Sequence, residues 1–172
     1  QMVRRNKLNE MKLKTVHLTS KNGTDLHVGL AEDCIWGGGK DSADLSEDEW
    51  IALAAEAKAC AEKAQEKGMV LSLECHNWSL TDHWQGAKRF LAMVDSPALR
   101  MYWQPNQFRN EPYDLESVRQ LAGIVTNVHV FSWQYADAYD KSTPIEKKPL
   151  ATHCEEWEKR LTVLQEKLRA DE

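Results

Sequence analysis

The chain has 172 residues, and its 22 lysines and arginines against 27 aspartates and glutamates give a formal net charge of −5. That length suits a single domain with a substantial buried core. The acidic balance argues against a nucleic-acid partner, which needs a surplus of lysine and arginine on one face. No apolar run reaches the roughly 18 residues of a membrane-spanning helix, so no membrane partner is expected.

The cysteine spacing and the amino-terminal segment bear on the cellular compartment of the protein. The four cysteines are widely spaced and form neither a C-x-x-C pair nor a zinc-finger pattern: Cys34, Cys60, Cys75 and Cys154. Reduced thiols in the cytosol are the default interpretation of such spacing. The opening segment, QMVRRNKLNEMKLK, is charged and lacks the apolar stretch of a secretory signal. We therefore expect a cytoplasmic protein.

The first elements along the chain are two strands and a helix. The segment KTVHLTS, residues 14–20, is expected to form a strand, and a second strand is expected to end at Trp36, before three glycines. A helix should run from Ser46 to about Lys67, because Ser46 and Glu49 form an S-x-x-E capping box. Its apolar face is narrow and mostly alanine, which favours close packing on a sheet: Ile51, Ala54, Ala57, Ala61 and Ala64.

The rest of the chain alternates strands with helices. We predict a strand at 69–74, a helix capped by Thr81 or Asp82, a strand at 99–103, a helix from Asp114 to about Val125, a strand at 127–133 and a helix at about 154–169. Alternation of this kind is typical of the α/β class, in which crossover helices join parallel strands. The ligand site of such a fold lies at the carboxyl ends of the strands.

Polar and aromatic side chains follow each predicted strand. They are Trp36, Lys40, Glu74, His76, Trp78, Trp103, Gln104, Asn106, His129, Ser132 and Trp133. Glutamate and histidine on neighbouring strand ends are ligands for divalent ions such as Mn²⁺, Mg²⁺, Co²⁺ or Zn²⁺. Indole rings beside them offer flat faces on which a sugar can stack. The same residues have ordinary explanations as well, since a glutamate after a strand is often solvated and His129, between two valines, suits a core position.

Four segments, in the same order, resemble the xylose-isomerase-like TIM-barrel family of sugar phosphate isomerases and epimerases. LSLECHNWSLTD is similar to that family's LxLExHxxTLTD, IWGGGKDSADLSEDEW to its R-V/I-W-A-G-x-K-x-S-A-D, and ALRMYWQPN to its NVRLYWQPN. NVHVFSWQ, followed by KPLATHCEEWEKRL, is similar to its HVHVFxW…PLxxGxxEW. The resemblance covers about residues 34–164.

The resemblance implies a metal-dependent isomerase or epimerase of a small sugar or sugar phosphate. In the family, a divalent ion is held by a Glu, an Asp, a His and a second Glu, and the glutamates move a proton beside the carbonyl through an enediolate. Glu74 matches the first Glu, as ligand and catalytic residue, and His129 matches the His. Gln104 stands at or beside the Asp position. Lys40 and His76 match recurrent family positions and are expected to touch substrate. The other expected substrate contacts come from their places at the strand ends: Trp36, Trp78, Trp103, Asn106 and Trp133.

The resemblance also implies a partial barrel. A full (β/α)8 TIM barrel has eight strands and roughly 250 residues. We expect one partial TIM-barrel domain over 1–172, with an atypical segment at 1–33, family-like βα repeats at 34–172, and early and last strands missing. The position of the second Glu falls on a missing strand, so the resemblance leaves open whether this form of the chain is active as an enzyme. Homo-oligomer formation is left open.

Two other functions fit parts of the pattern. A carbohydrate-binding TIM-barrel protein without catalysis would keep the tryptophans and lose the metal, which the neutral Gln104 favours. A metal-dependent hydrolase similar to the endonuclease IV branch would need more metal ligands. The acidic charge and the few ligands argue against that hydrolase.

Overall fold

The computed structural model describes residues 17–20, 25–26, 37, 39–134, 140–142 and 144–170. The predicted site residue Trp36, Cys34 and the first residues of the predicted strand at 14–20 lie outside the described residues. By its internal contacts the chain divides into two compact units, Gln1–Tyr102 and Trp103–Glu172. None of the described helices is long and apolar enough to cross a membrane.

The strands of the first unit confirm the parallel pairing expected in the middle of the chain. They are β1 His17–Ser20, β2 Asp25–Leu26, β3 Met69–Glu74 and β4 Leu99–Trp103, in the order β2-β1-β3-β4. β3 runs parallel to β4, with Leu71 opposite Leu99 and Glu74 opposite Tyr102. β1 is antiparallel to both of its neighbours, which corrects the expectation of a wholly parallel sheet. The link from β1 to β2 is too short for the crossover helix that parallel strands need.

Two helices complete the first unit: α1 Glu47–Glu66 and α2 Trp84–Val94. α1 begins with the predicted capping box, in which the Ser46 hydroxyl accepts from the Glu49 N–H and the Glu49 carboxylate accepts from the Ser46 N–H. Its buried face starts at Trp50, whereas the predicted Ile51 is exposed. The predicted cap of α2 at Thr81 or Asp82 was wrong, because His83 occupies that position.

The described residues of the second unit form two α-helices and one strand beyond the end of β4: α3 Glu111–Leu121, β5 Val125–Val128 and α4 Cys154–Ala170. α3 begins three residues before the predicted start, since Asn110 accepts a hydrogen bond from the Tyr113 N–H and caps the helix. β5 ends at Val128, so the predicted strand at 127–133 was too long. Beyond β5, Trp133 makes an antiparallel bridge with Lys147.

Candidate functional site

Glu74 ends β3 with its side chain shielded from solvent. Its exposed fraction is 4%, although it follows the buried Leu73 directly along the strand. The Cys75 N–H donates to the Tyr102 carbonyl at 2.9 Å, so the pairing of β3 with β4 continues one residue beyond the strand. This pairing fixes the backbone that carries Glu74. A buried carboxylate therefore lies at the carboxyl end of a parallel strand, where α/β folds bind their ligands.

The turn after Glu74 is held by its own hydroxyl groups. The Thr81 hydroxyl donates to the Glu74 carbonyl at 2.6 Å, and the Ser79 hydroxyl donates to the His76 carbonyl at 2.6 Å. Both side chains are buried. These bonds satisfy two backbone carbonyls at the end of β3 and in the turn that follows it, and so stabilise the turn. We call residues 74–82, from Glu74 to the start of α2, the first rim.

Glycines allow the first rim to lie close to its neighbours. The Leu80 N–H donates to the Gly37 carbonyl at 2.8 Å. A Cβ atom on Gly37 would lie 2.7 Å from Leu80 Cγ, and one on Gly86 would lie 2.5 Å from the Leu80 carbonyl oxygen. Side chains at either position would collide with Leu80. The Asp82 carboxylate also accepts from the Ser42 N–H at 3.2 Å, which ties the end of the rim to the segment after Gly37.

His76 and Trp78 form the accessible part of the first rim. Nδ1 of His76 lies 2.6 Å from the Asn77 carbonyl, which only accepts, so Nδ1 carries the proton and Nε2 is the acceptor nitrogen of the neutral ring. The Trp78 ring is 6.1 Å from the His76 ring, and Trp78 is 41% exposed. Its φ of 61° lies in the left-handed region, a strained conformation for a bulky residue. Strain of this kind is concentrated at functional sites.

Lys40 lies on the surface and pairs with the Glu49 carboxylate. Its ammonium donates to Glu49 Oε1 at 2.6 Å, and both side chains are exposed. The hydrogen bond from Lys40, together with those from Ser46, lowers the pKa of Glu49 to about 2. The substrate contact expected of Lys40 stays a prediction.

The second unit carries a separate group of polar residues after β4 and β5. The His129 N–H donates to the Trp103 carbonyl at 2.8 Å, and Nδ1 of His129 lies 3.2 Å from Oε1 of Gln104. An amide oxygen accepts, so Nδ1 donates and Nε2 becomes the acceptor nitrogen. A carbonyl oxygen on the distal ring nitrogen is a common way to orient a metal-binding imidazole. Gln104 thus lies where it orients His129.

Aromatic rings continue from His129 along the same segment. The rings of His129 and Phe131 are 5.4 Å apart, and those of Phe131 and Trp133 are 5.0 Å apart. The Lys147 ammonium lies 5.7 Å from the Trp133 ring. Within the described part of the chain, the buried indole nitrogen of Trp133 has no hydrogen-bond acceptor, and the buried Ser132 hydroxyl has no partner. We call residues 129–133, together with Gln104–Phe108, the second rim.

Trp103 and Asn106, both predicted to contact substrate, make hydrogen bonds to other residues of the second unit. Trp103 is fully buried, its indole N–H donates to the Ser117 hydroxyl at 3.0 Å, and its ring meets that of Trp157 edge-on at 6.0 Å. No face of this indole is open to a sugar. The side chain of Asn106 accepts from the Phe108 N–H at 2.9 Å and so shapes a turn.

Asp114 and Arg160 are buried polar residues that the sequence analysis did not identify. Both are 1% exposed. Asp114 lies on the buried side of α3 beside Ser117, Val118 and Leu121. An aspartate among the apolar positions of an amphipathic helix is the signal that could have revealed it.

The described residues do not form a complete metal centre by themselves. Among them, no three Asp, Glu, His or Cys side chains gather in a group that could hold an ion. Of the predicted ligands, Glu74 and His129 have the right donor types, while the oxygen of Gln104 faces the His129 ring.

Comparison with known proteins supports the fold. No family model and no curated protein matches the chain. A xylose isomerase domain protein from Planctomyces limnophilus is similar in structure, with a TM-score of 0.62 and 20% identity over 77% of this chain and 47% of that one. The probable 3-DHS dehydratase AsbF, involved in petrobactin synthesis in Bacillus anthracis, has a TM-score of 0.56 and 22% identity over 67% of this chain and 46% of that one.

Both of these structures are xylose-isomerase-like TIM barrels, so the α/β fold class expected from the sequence is confirmed at that level. The chain spans less than half the length of either structure. At identities of 22% and 20% the likeness concerns the fold alone. The partial barrel and the single domain stay predictions.

Proposed function

We propose that this chain is a sugar or sugar-phosphate isomerase- or epimerase-like protein, which moves a proton at the carbon beside a carbonyl through an enediolate. The observation that carries the proposal is the buried carboxylate of Glu74 at the carboxyl end of β3. A carboxylate held away from bulk water is suited to take a proton from carbon, because little solvent must be displaced when substrate binds. In support, one of the similar structures is a xylose isomerase domain protein.

Each rim offers groups for a small polyhydroxylated substrate. In the first rim, Glu74 is the proposed base, and the exposed Trp78 ring offers a flat face beside His76. In the second rim, the acceptor nitrogen of His129 is suited to a sugar hydroxyl, whereas the indole nitrogen of Trp133 is buried, so the substrate contact of Trp133 stays a prediction. Sugar recognition combines such directional hydrogen bonds with contact between aromatic rings and C–H groups.

A divalent ion belongs to the proposal as its cofactor, with Mn²⁺, Mg²⁺, Co²⁺ and Zn²⁺ as candidates. Bound beside a sugar carbonyl, such an ion polarises the carbonyl as a Lewis acid. Glu74 and Nε2 of His129 are the donors we propose for it, with Gln104 orienting the imidazole through Nδ1. The described residues supply no third side chain of the usual types, so the set is incomplete without further residues or the substrate.

Calorimetry tests this function directly. Mn²⁺ is titrated into the full chain and into Glu74→Ala, with and without a panel of aldoses, ketoses and their phosphates. Glu62→Ala is the matched control, because Glu62 is an exposed carboxylate of the same unit. We expect Mn²⁺ binding in the wild type and in Glu62→Ala and its loss in Glu74→Ala. Absence of Mn²⁺ binding in a folded wild type would contradict metal dependence.

A second function, non-catalytic carbohydrate binding, is favoured by one observation. Trp78 keeps a 41% exposed indole on a backbone with a φ of 61°, and strain of this kind is concentrated at functional sites. If the chain only binds sugar, Trp78→Ala abolishes metal-free sugar binding and Glu74→Ala leaves it intact. If it is an isomerase, Glu74→Ala removes metal-dependent binding and any turnover.

A further inference from the structure

Two opposite charges are buried between the helices of the second unit. Asp114 on α3 and Arg160 on α4 are each 1% exposed, and Nη2 of Arg160 lies 3.3 Å from Oδ2 of Asp114. The same nitrogen bonds the Glu111 carboxylate one turn earlier on α3. Buried ion pairs are weak evidence for stability, because apolar residues of similar size often do as well or better. The charge at this place therefore needs another explanation.

The other oxygen of Asp114 binds the segment that follows β4. Oδ1 accepts from the Asn106 N–H at 2.8 Å. The Asn106 side chain in turn accepts from the N–H of Phe108, whose ring is buried. One carboxylate thus fixes a backbone amide two residues beyond Gln104, and a hydrogen bond to an ionised acceptor is stronger than one to a neutral acceptor.

Two further hydrogen bonds join side chains of α3 and α4 to the second rim and to Trp103 beside it. Ser117, three residues after Asp114 on α3, accepts from the indole N–H of Trp103. Trp157, three residues before Arg160 on α4, donates its indole N–H to the Phe131 carbonyl at 3.1 Å. The side chains of α3 and α4 therefore hold the backbone on both sides of the Gln104–His129 pair.

We propose that Asp114 is a positioning residue, whose carboxylate, oriented by Arg160, fixes Gln104–Phe108 and through it the Gln104–His129 pair, and that protonation of Asp114 loosens this segment. The effect on ligand binding rests on the proposed function, whereas the effect on the segment does not. Asp114 acts here through the Asn106 amide and touches no substrate.

The groups around Asp114 place this protonation near neutral pH. Burial, against the lowering effects of Arg160 and the Asn106 N–H and with a smaller raising effect of Glu111, raises the pKa of Asp114 to about 7. These groups face Asp114 from α4, from the segment after β4 and from α3 itself. Above that pH the ionised carboxylate holds the Asn106 amide firmly. Below it, the protonated carboxyl group holds the amide less firmly.

The contribution of Asp114 to the stability of the fold changes with pH in the opposite direction to its hold on the Asn106 amide. The pKa of Asp114 is raised from 3.8 to about 7 in the folded chain. The folded state thus binds the proton more tightly than the unfolded state. The resulting stabilisation is present below the unfolded pKa and is lost as the pH rises through the folded pKa. Gln104–Phe108 is therefore held most firmly above about pH 7, where the ionised Asp114 carboxylate lowers the stability of the fold most.

NMR on the full chain tests the proposal without any ligand. The chemical shift and hydrogen exchange of the Asn106 amide are followed from pH 5.5 to 8.5, beside the ¹³C shift of the Asp114 carboxyl group. In the wild type, we expect both shifts to titrate together near pH 7. Asp114→Asn should remove the inflection and speed Asn106 exchange about tenfold. Glu116→Gln, which changes a solvent-accessible carboxylate of the same helix, should do neither.

Three results would overturn the proposal. An inflection that persists in Asp114→Asn would assign the titration to another group. Unchanged Asn106 exchange in that variant would leave Asp114 with no positioning role. If Asp114→Asn fails to fold, the wild type still decides, because different midpoints for the Asn106 amide and the Asp114 carboxyl would contradict the coupling. None of these readouts depends on sugar or metal, so they remain interpretable if the proposed function fails.

Discussion

The two rims are held in place by different physics. The first rim is fixed mainly by uncharged contacts: Gly37 and Gly86 lie against Leu80, and the Thr81 hydroxyl donates to the Glu74 carbonyl, while the Asp82 carboxylate at the end of the rim accepts from the Ser42 N–H. The second rim is fixed by the buried Asp114 carboxylate and by indole N–H groups that donate to Ser117 and to the Phe131 carbonyl.

This difference determines how each rim responds to change. Steric fit and hydroxyl bonds do not titrate near neutral pH, so the contacts of Leu80 and Thr81 in the first rim should keep their geometry across that range. A buried ion pair depends on both partners, and removing one leaves the other charge uncompensated in a medium of low polarity. The second rim should therefore be the more sensitive one, both to mutation and to pH.

The largest expected effect is that of Arg160→Met. This change leaves Asp114 and Glu111 without their buried cation, and we expect a loss of about 3–5 kcal/mol in the free energy of unfolding at pH 8. The loss should be smaller at pH 5.5, because without Arg160 the pKa of Asp114 rises further and the neutral carboxyl group is tolerated. Urea unfolding at both pH values measures it.

Arg119→Met is the matched control for this comparison, since Arg119 is an exposed arginine of α3 that pairs with Glu116 at 3.8 Å. Exposed pairs contribute about 0–1 kcal/mol. Equal destabilisation by the two substitutions would mean that burial of the Arg160 charge has no special effect.

A medium effect is expected for Gly86→Ala in the first unit. The new Cβ would lie 2.5 Å from the Leu80 carbonyl and 2.9 Å from Ser42 Cβ, so the backbone must shift. Overpacking of this kind costs about 1–3 kcal/mol. The control is Gly39→Ala, because a Cβ on Gly39 meets no atom within 4 Å. Urea unfolding should give the same loss in the free energy of unfolding for Gly86→Ala at pH 5.5 and at pH 8. A strong pH dependence of this loss would contradict a purely steric contact between Gly86 and Leu80.

The smallest effect concerns the backbone strain at Trp78. Asparagine tolerates a positive φ better than alanine, so Trp78→Asn should be about 1 kcal/mol more stable than Trp78→Ala. Both variants lose the exposed indole, which keeps the comparison to the backbone alone. If the two variants unfold at the same urea concentration, the backbone at position 78 is not strained.

Much of the fold could be predicted from local patterns. β3 and β4 have the predicted bounds, because each is a short apolar run between turn residues. The capping box of α1 was also predicted correctly, since it depends on two residues three apart. The cap of α2 was missed because Thr81 and Asp82, good caps by residue type, bind the Glu74 carbonyl and the Ser42 N–H instead.

The residues missed in the second unit depend on long-range partners. Asp114 looked like a helix start, yet its carboxylate is paired with Arg160, 46 positions away in sequence. Trp103 looked like an exposed strand end, yet Ser117 and Trp157 enclose it. Sequence periodicity indicates that a helix has a buried face, but it does not identify which distant side chain will meet that face.

Deuterium exchange tests the central claim, that Glu74 moves a proton beside a sugar carbonyl. The full chain is incubated with Mn²⁺ in D₂O with pentoses, hexoses and their phosphates, and NMR detects deuterium at the carbon beside the carbonyl. We expect incorporation into at least one sugar, its loss in Glu74→Gln and its retention in Glu62→Gln. Incorporation no faster than without protein, for every sugar and with the chain folded, would contradict the claim.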